Sequence, residues 1–245
     1  MQAHLSARLL AEFIGTFAFV FAGAGAAAVV GTGAGLNGIA AIAFAHGLTI
    51  MVFAFAFGNL SGAHFNPAVT VGVLAARAMS LGEAIAYIVS QLVAAACAAF
   101  LLRAVLGGVA TGLGRPELAQ GVVLGATTLT ITPAAGFVIE AVLGFFLVIV
   151  VLTTAVAHSA GNLAPLAIGM TLTFNILMGG ALTGAAFNPA RALGPMIATA
   201  NFTNAWLYVT APIAGALVAA LIHKALQLLA EDGTEVAPRA AAPAE

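Results

Sequence analysis

Two asparagines, each followed by proline and alanine, carry most of the chemistry this chain can offer: Asn66-Pro67-Ala68 and Asn188-Pro189-Ala190. Asparagine is a strong N-cap. Proline suits the first helical position, where its missing N–H costs nothing. Each triplet therefore predicts a helix start, with the asparagine amide available to donate a hydrogen bond to a passing oxygen. Arg191 follows within the first turn of the second such helix. A cation there, in apolar surroundings, points to function rather than to a snorkelling anchor. Glu12 and Glu140 are expected to accept backbone N–H groups of a neighbouring loop rather than to relay protons. No nucleophile–base pair and no cluster of metal ligands stands out, so neither an enzyme nor a metal or cofactor is expected.

The elements that must position these residues are apolar. The 245-residue chain is 62% hydrophobic and 6% charged, with a mean hydropathy of +1.13. Soluble domains carry about 25% charged residues, so lipid is the solvent this composition fits. The net charge of −1 leaves no basic patch for nucleic acid. Apolar segments at 8–30, 37–58, 82–106, 133–157, 163–181 and 204–229 are each long enough to cross a bilayer. Arg8 leads into an apolar run longer than a signal-peptide core, so this run is expected to be the first span. Cys97, the only cysteine, reads as a small apolar residue of the third span.

Two shorter stretches, 66–77 and 188–199, are left over. A dozen helical residues rise only about 18 Å, too little to span. Their surroundings repeat: Ser61-Gly62-Ala63-His64-Phe65-Asn66-Pro67-Ala68 is matched by Thr183-Gly184-Ala185-Ala186-Phe187-Asn188-Pro189-Ala190. The chain is thus two copies of one unit, with an odd number of spans in each. The second copy enters the membrane from the opposite side. The expected fold is an all-α membrane protein: six transmembrane helices plus two re-entrant half-helices in an inverted repeat. One channel domain covers residues 1–230, with repeats at about 8–106 and 133–229; residues 231–245 are expected to form a disordered cytoplasmic tail. The loops before Asn66 and Asn188 are expected to be extended, at a depth where irregular backbone must line a cavity or be buried. Two half-helix N-termini facing each other make a positive focus that repels protons and other cations.

Depth arithmetic adds four residues. At 1.5 Å per residue His46 lies about 13 Å and Ile176 about 10 Å below the outer face of a ~30 Å core, with Arg191 about 5 Å above the midplane. Ala185 falls at a similar height. His64 has Ala186 at its equivalent place and is expected to brace its loop rather than touch solute. An imidazole's reference pKa is about 6.5, so a protonated His46 would set a second positive charge beside Arg191.

These motifs resemble the aquaporin (major intrinsic protein) family over residues 8–229. The resemblance implies a homotetramer with a pore in each subunit, passing water and small neutral solutes across the lipid bilayer. It also implies a selectivity filter made of His46, Ile176, Ala185 and Arg191. Leu163-Ala164-Pro165-Leu166-Ala167-Ile168-Gly169 and Asn175-Ile176-Leu177 are similar to the tonoplast intrinsic branch. His46 and Ile176 depart from the Phe and His of many bacterial water channels and look like a tonoplast-type filter, associated with water and in some members with ammonia or hydrogen peroxide. The loop histidine that joins the filter in one such group is absent between Arg103 and Glu140. Glycerol facilitators carry Asp where this chain has Ala192, which makes a glycerol or small-solute facilitator the alternative. A secondary transporter would show ion-coordinating groups at the midplane, and a scaffold a large adhesive loop; both are disfavoured. The distribution of Lys and Arg favours both termini in the cytoplasm, and the cell (inner) membrane is the expected location.

Overall fold

Apolar length sets the architecture. The protein, described by a computed structural model over residues 3–31 and 35–234, has six helices long and apolar enough to cross a membrane among its described residues. They are α1 (Leu5–Val30), α2 (Gly35–Ser61), α4 (Leu81–Val105), α5 (Pro133–Val156), α6 (Ala164–Thr183) and α8 (Ala205–Thr234). The two half-length helices are α3 (Pro67–Ala75) and α7 (Pro189–Thr199). The expected all-α membrane fold is therefore the observed one. Two features exceed it. π-helical turns widen α1 at Val20–Ala24 and α5 at Val151–Val156. Before α5 a short antiparallel hairpin pairs β1 (Val122–Leu124) with β2 (Thr127–Leu129). α8 continues past residue 230 to Thr234, and the rest of the expected tail lies outside the described residues.

Local chemistry starts the helices where they start. Ser80 and Glu83 form a capping box on α4, Thr132 caps α5 ahead of Pro133, and Asn66 and Asn188 cap the half-helices. Burial is inverted relative to a soluble domain. Leu48, Val52 and Phe55 of α2 and Val89 and Val93 of α4 are exposed, whereas Glu12, Gln91, Glu140 and Arg191 are buried. Lipid accepts the first set; the polar groups must find partners inside.

Each half-helix packs against the last span of the other repeat, α3 on α8 and α7 on α4, so the halves interlock. α2 and α6 meet along the axis between the halves. There Gly47 and Gly169 approach backbone to backbone: a Cβ on Gly47 would lie 2.6 Å from the Gly169 carbonyl oxygen, and one on Gly169 2.7 Å from that of Gly47. Small residues are what permit such contact between membrane helices.

Candidate functional site

The sequence places Asn66 and Asn188 at helix starts, and the fold sets the two starts against each other. Asn66 Oδ1 accepts from the Ala68 N–H at 2.8 Å. Asn188 Oδ1 accepts from Ala190 at 3.0 Å and Arg191 at 3.2 Å. Each amide nitrogen then donates across the repeat boundary: Asn66 Nδ2 to the Phe187 carbonyl at 3.0 Å, Asn188 Nδ2 to the Phe65 carbonyl at 2.9 Å. An amide has two N–H groups, so each asparagine keeps a second one. Both residues line a narrow lumen with about 10 Å³ of free volume, room for one water at a time, walled by Phe19, Ile50, Val69 and Leu147. Pro67 and Pro189 are the first residues of their helices, and Ala68 and Ala190 are fully buried beside them.

The loops that carry these asparagines alternate between left-handed residues and others, and Asn66 and Asn188 themselves are extended. Positive φ occurs at Gly62, Ala63 and Phe65 and again at Gly184, Ala185 and Phe187. For alanine and phenylalanine this conformation is strained and must be held in place by its surroundings. The buried glutamates hold it. Glu12 accepts from the N–H groups of His64 (2.9 Å) and Phe65 (2.7 Å), from Ser61 Oγ (2.7 Å) and from Gln91 Nε2 (2.8 Å). Glu140 accepts from Ala186 (3.0 Å) and Phe187 (2.6 Å) and from Thr183 Oγ1 (2.6 Å). A buried carboxylate is tolerable only with such a full set of donors. The left-handed turn exposes consecutive N–H groups to one carboxylate, which the composition of these loops did not suggest.

His46 and Arg191 are brought into contact from α2 and α7, both buried. A carbonyl oxygen only accepts, so His46 Nδ1 donates to Ile42 at 2.9 Å; a guanidinium only donates, so His46 Nε2 accepts from Arg191 Nε at 3.4 Å. This arrangement requires a neutral ring. A protonated His46 would have to break with Arg191, so the second charge expected beside Arg191 is incompatible with the contact seen. Arg191 Nη1 is buried with no protein partner. Ile176 and Ala185 are buried in one apolar cluster with Phe19 and Ile42, the neighbours of His46 in space and along α2.

His64 bonds to the half-helix that it precedes and also borders the lumen. Thr70 Oγ1 donates to the Asn66 carbonyl at 3.1 Å, so its 3.1 Å contact with His64 Nδ1 makes the ring nitrogen the donor. Nε2 is left as an acceptor. The residue lines both the lumen and a vestibule of about 730 Å³ beyond it, shared with Arg8, Asn59 and His158.

Sequence reasoning missed the residues that fix these positions. Tyr87 and Tyr208, the only two tyrosines, donate to the carbonyls of Ser61 (2.8 Å) and Thr183 (2.7 Å), the last residues of α2 and α6. A methyl group on Gly23, inside the π-helical turn of α1, would overlap the His46 ring. The near-equal placement of the tyrosines after each Asn-Pro was a readable signal; nothing in the sequence linked Gly23 to His46.

A family model described as major intrinsic protein matches residues 1–223. The chain belongs to that family. Its members are transmembrane channels and not enzymes, and this chain is an integral, multi-pass aquaporin-type channel for water and small solutes. It is 35% identical to Aquaporin NIP3-1 of Zea mays over 232 residues, which is 94% of this chain and 73% of that protein. It is 41% identical to Aquaporin TIP1-2 of Zea mays over 181 residues, 73% of this chain and 67% of that protein. The sequence resemblance named the tonoplast branch; similarity to the NIP group was not foreseen. The X-ray structure of the aquaglyceroporin from Plasmodium falciparum superposes with a TM-score of 0.77 at 23% identity, covering 93% of this chain and 99% of that one, and shares the fold.

Proposed function

We propose that this aquaporin-family chain is a passive water channel that also passes ammonia and hydrogen peroxide and excludes protons and ions. The observation that carries the reading is the pair of crossed asparagine bonds. Each leaves one amide N–H free at a narrow lumen where two helix N-termini meet. Donors without acceptors suit an oxygen-bearing neutral solute, and two positive helix ends disfavour a cation.

His46, Ile176, Ala185 and Arg191 form the selectivity filter in this reading, and Asn66, Pro67, Ala68, Asn188, Pro189 and Ala190 the midplane. Support comes from the His46–Arg191 contact and from the buried Arg191 Nη1, a donor that finds no protein acceptor. Glu12, Glu140 and His64 brace the loops. The channel is one domain over residues 1–230, assembled as a homotetramer in the cell (inner) membrane with both termini cytoplasmic. The vestibule beyond His64 is then the cytoplasmic mouth. A glycerol facilitator is the alternative; Ala192, fully buried, offers no carboxylate there.

Stopped-flow light scattering on proteoliposomes tests this. Shrinkage in sucrose faster than in empty vesicles, with slow glycerol re-swelling, is the expected result. Fast glycerol re-swelling transfers the assignment to the facilitator.

A further inference from the structure

Arg8 borders the vestibule but lies outside the filter and the midplane, and yet its contacts lead through Tyr87 to Ser61 and His64, where the first re-entrant loop begins. Its Nε donates to the Tyr87 hydroxyl at 2.7 Å and its Nη1 to Glu83 Oε1 at 2.6 Å. The guanidinium also lies over the Tyr87 ring, 5.2 Å from its centroid. Glu83 is itself fixed, since its other oxygen accepts from the Ser80 N–H and hydroxyl in the capping box of α4. With its plane held at two points, Arg8 sets where the Tyr87 oxygen can be.

Tyr87 passes that position on. Its hydroxyl hydrogen goes to the Ser61 carbonyl at 2.8 Å, so the Arg8 bond fills the oxygen's role as acceptor. Its ring meets the His64 ring edge-on, with centroids 5.2 Å apart. Ser61 Oγ in turn accepts from the Ala63 N–H at 3.0 Å and donates to Glu12. The second repeat has the tyrosine without the grip: Tyr208 donates to Thr183, and among the described residues no arginine hydrogen-bonds its hydroxyl. It also has Ala186 where the first repeat has His64. The extra arginine and the extra imidazole occur in the same half.

We propose that Arg8 is a positioning residue for the narrow end of the lumen, acting through Tyr87 to hold His64 Nε2 toward passing solute. This rests on the reading of the lumen as a water path. Removing Arg8 leaves Tyr87 with its Ser61 bond alone, so that its ring sets the tilt of His64 about the Thr70 contact less firmly. Tyr87→Phe, which keeps the ring and removes the hydroxyl, breaks the same link with little change in volume and removes the Ser61 bond as well.

The test uses full-length protein in liposomes, with water permeability normalised to reconstituted protein and the glycerol-to-water ratio measured beside it. Arg8→Met and Tyr87→Phe are each expected to lower water permeability about threefold to tenfold, the scale of one lost hydrogen-bond coupling. Both are expected to shift the glycerol-to-water ratio. The double variant is expected to match Tyr87→Phe alone, and Arg8→Met in a His64→Ala background to have no further effect. A wild type that conducts no water overturns the proposed function itself. A conducting wild type overturns the positioning role instead if Arg8→Met matches it, or if Arg8→Met lowers flux equally with and without His64.

Discussion

Asn66 and Asn188 each donate to the carbonyl that precedes the other, so each repeat finishes the hydrogen bonding of its opposite number. The two half-helices are thereby registered end to end, and neither asparagine can rotate without leaving a buried carbonyl unmatched.

Asn188→Asp is the informative change at this pair. It keeps the oxygen that caps α7 and replaces the donor to Phe65 with a second oxygen. The lost bond and the repelled carbonyl together cost about 1–3 kcal/mol. A carboxylate at the midplane would also offset the positive helix ends. With a pH-sensitive dye inside, wild-type vesicles are expected to hold a proton gradient while shrinking fast osmotically, and Asn188→Asp vesicles to leak. A wild-type leak that rises with protein content contradicts the exclusion mechanism.

Mercurials test the lateral surface. Cys97 is exposed on α4, away from the buried residues of the lumen. The wild type is expected to be only weakly inhibited. Ala185→Cys, at a buried residue adjoining Gly179, is expected to be strongly inhibited and rescued by thiol. Strong wild-type block relieved by Cys97→Ser would place helix α4 wrongly.

Gly23→Ala tests the π-helical turn of α1. The added methyl must push His46, which holds Arg191 at 3.4 Å. Overpacking of this kind costs about 1–3 kcal/mol, and here its effect falls on the filter. Reduced water permeability, with a smaller change in thermal stability than in flux, is the expected signature. Unchanged flux would mean that His46 does not depend on the turn.

Ammonia addresses the filter residues together. His46 as a neutral ring and Ile176 as an apolar wall leave the buried Arg191 Nη1 as a free donor. Such a site suits a neutral solute slightly less polar than water. Internal alkalinisation after an ammonium pulse is expected to exceed that of empty vesicles, and His46→Phe with Ile176→His to suppress it while water flow persists. Equal alkalinisation with and without protein removes ammonia from the list of solutes.

What could be read from the sequence was whatever a short stretch decides by itself. Asn-Pro fixes a cap and a first turn locally, so α3 and α7 begin where the triplets said, and apolar length gave the six spans. The positive φ of Ala63 and Phe65 was not legible, because the N–H groups of this loop are held by Glu12 from another helix. Gly23 was silent for the same reason, since its neighbour His46 lies on α2. The hairpin of β1 and β2 has strands of only three residues each, too short a pattern to register as strands.

The contact between Gly47 and Gly169 has a consequence for tolerance. The spacing between the two halves is set by peptide units together with the Met51 Cβ and with Thr173, whose hydroxyl is tied to the Gly169 carbonyl, whereas exposed side chains hop between rotamers in picoseconds to nanoseconds. A passage one molecule wide calls for a rigid gauge of this sort, since a fraction of an ångström changes what fits. The bilayer presses only on the outer faces. Lipid chain length and phase would then alter how many channels insert and survive, while the ranking among permeant solutes carries over unchanged from one membrane to the next.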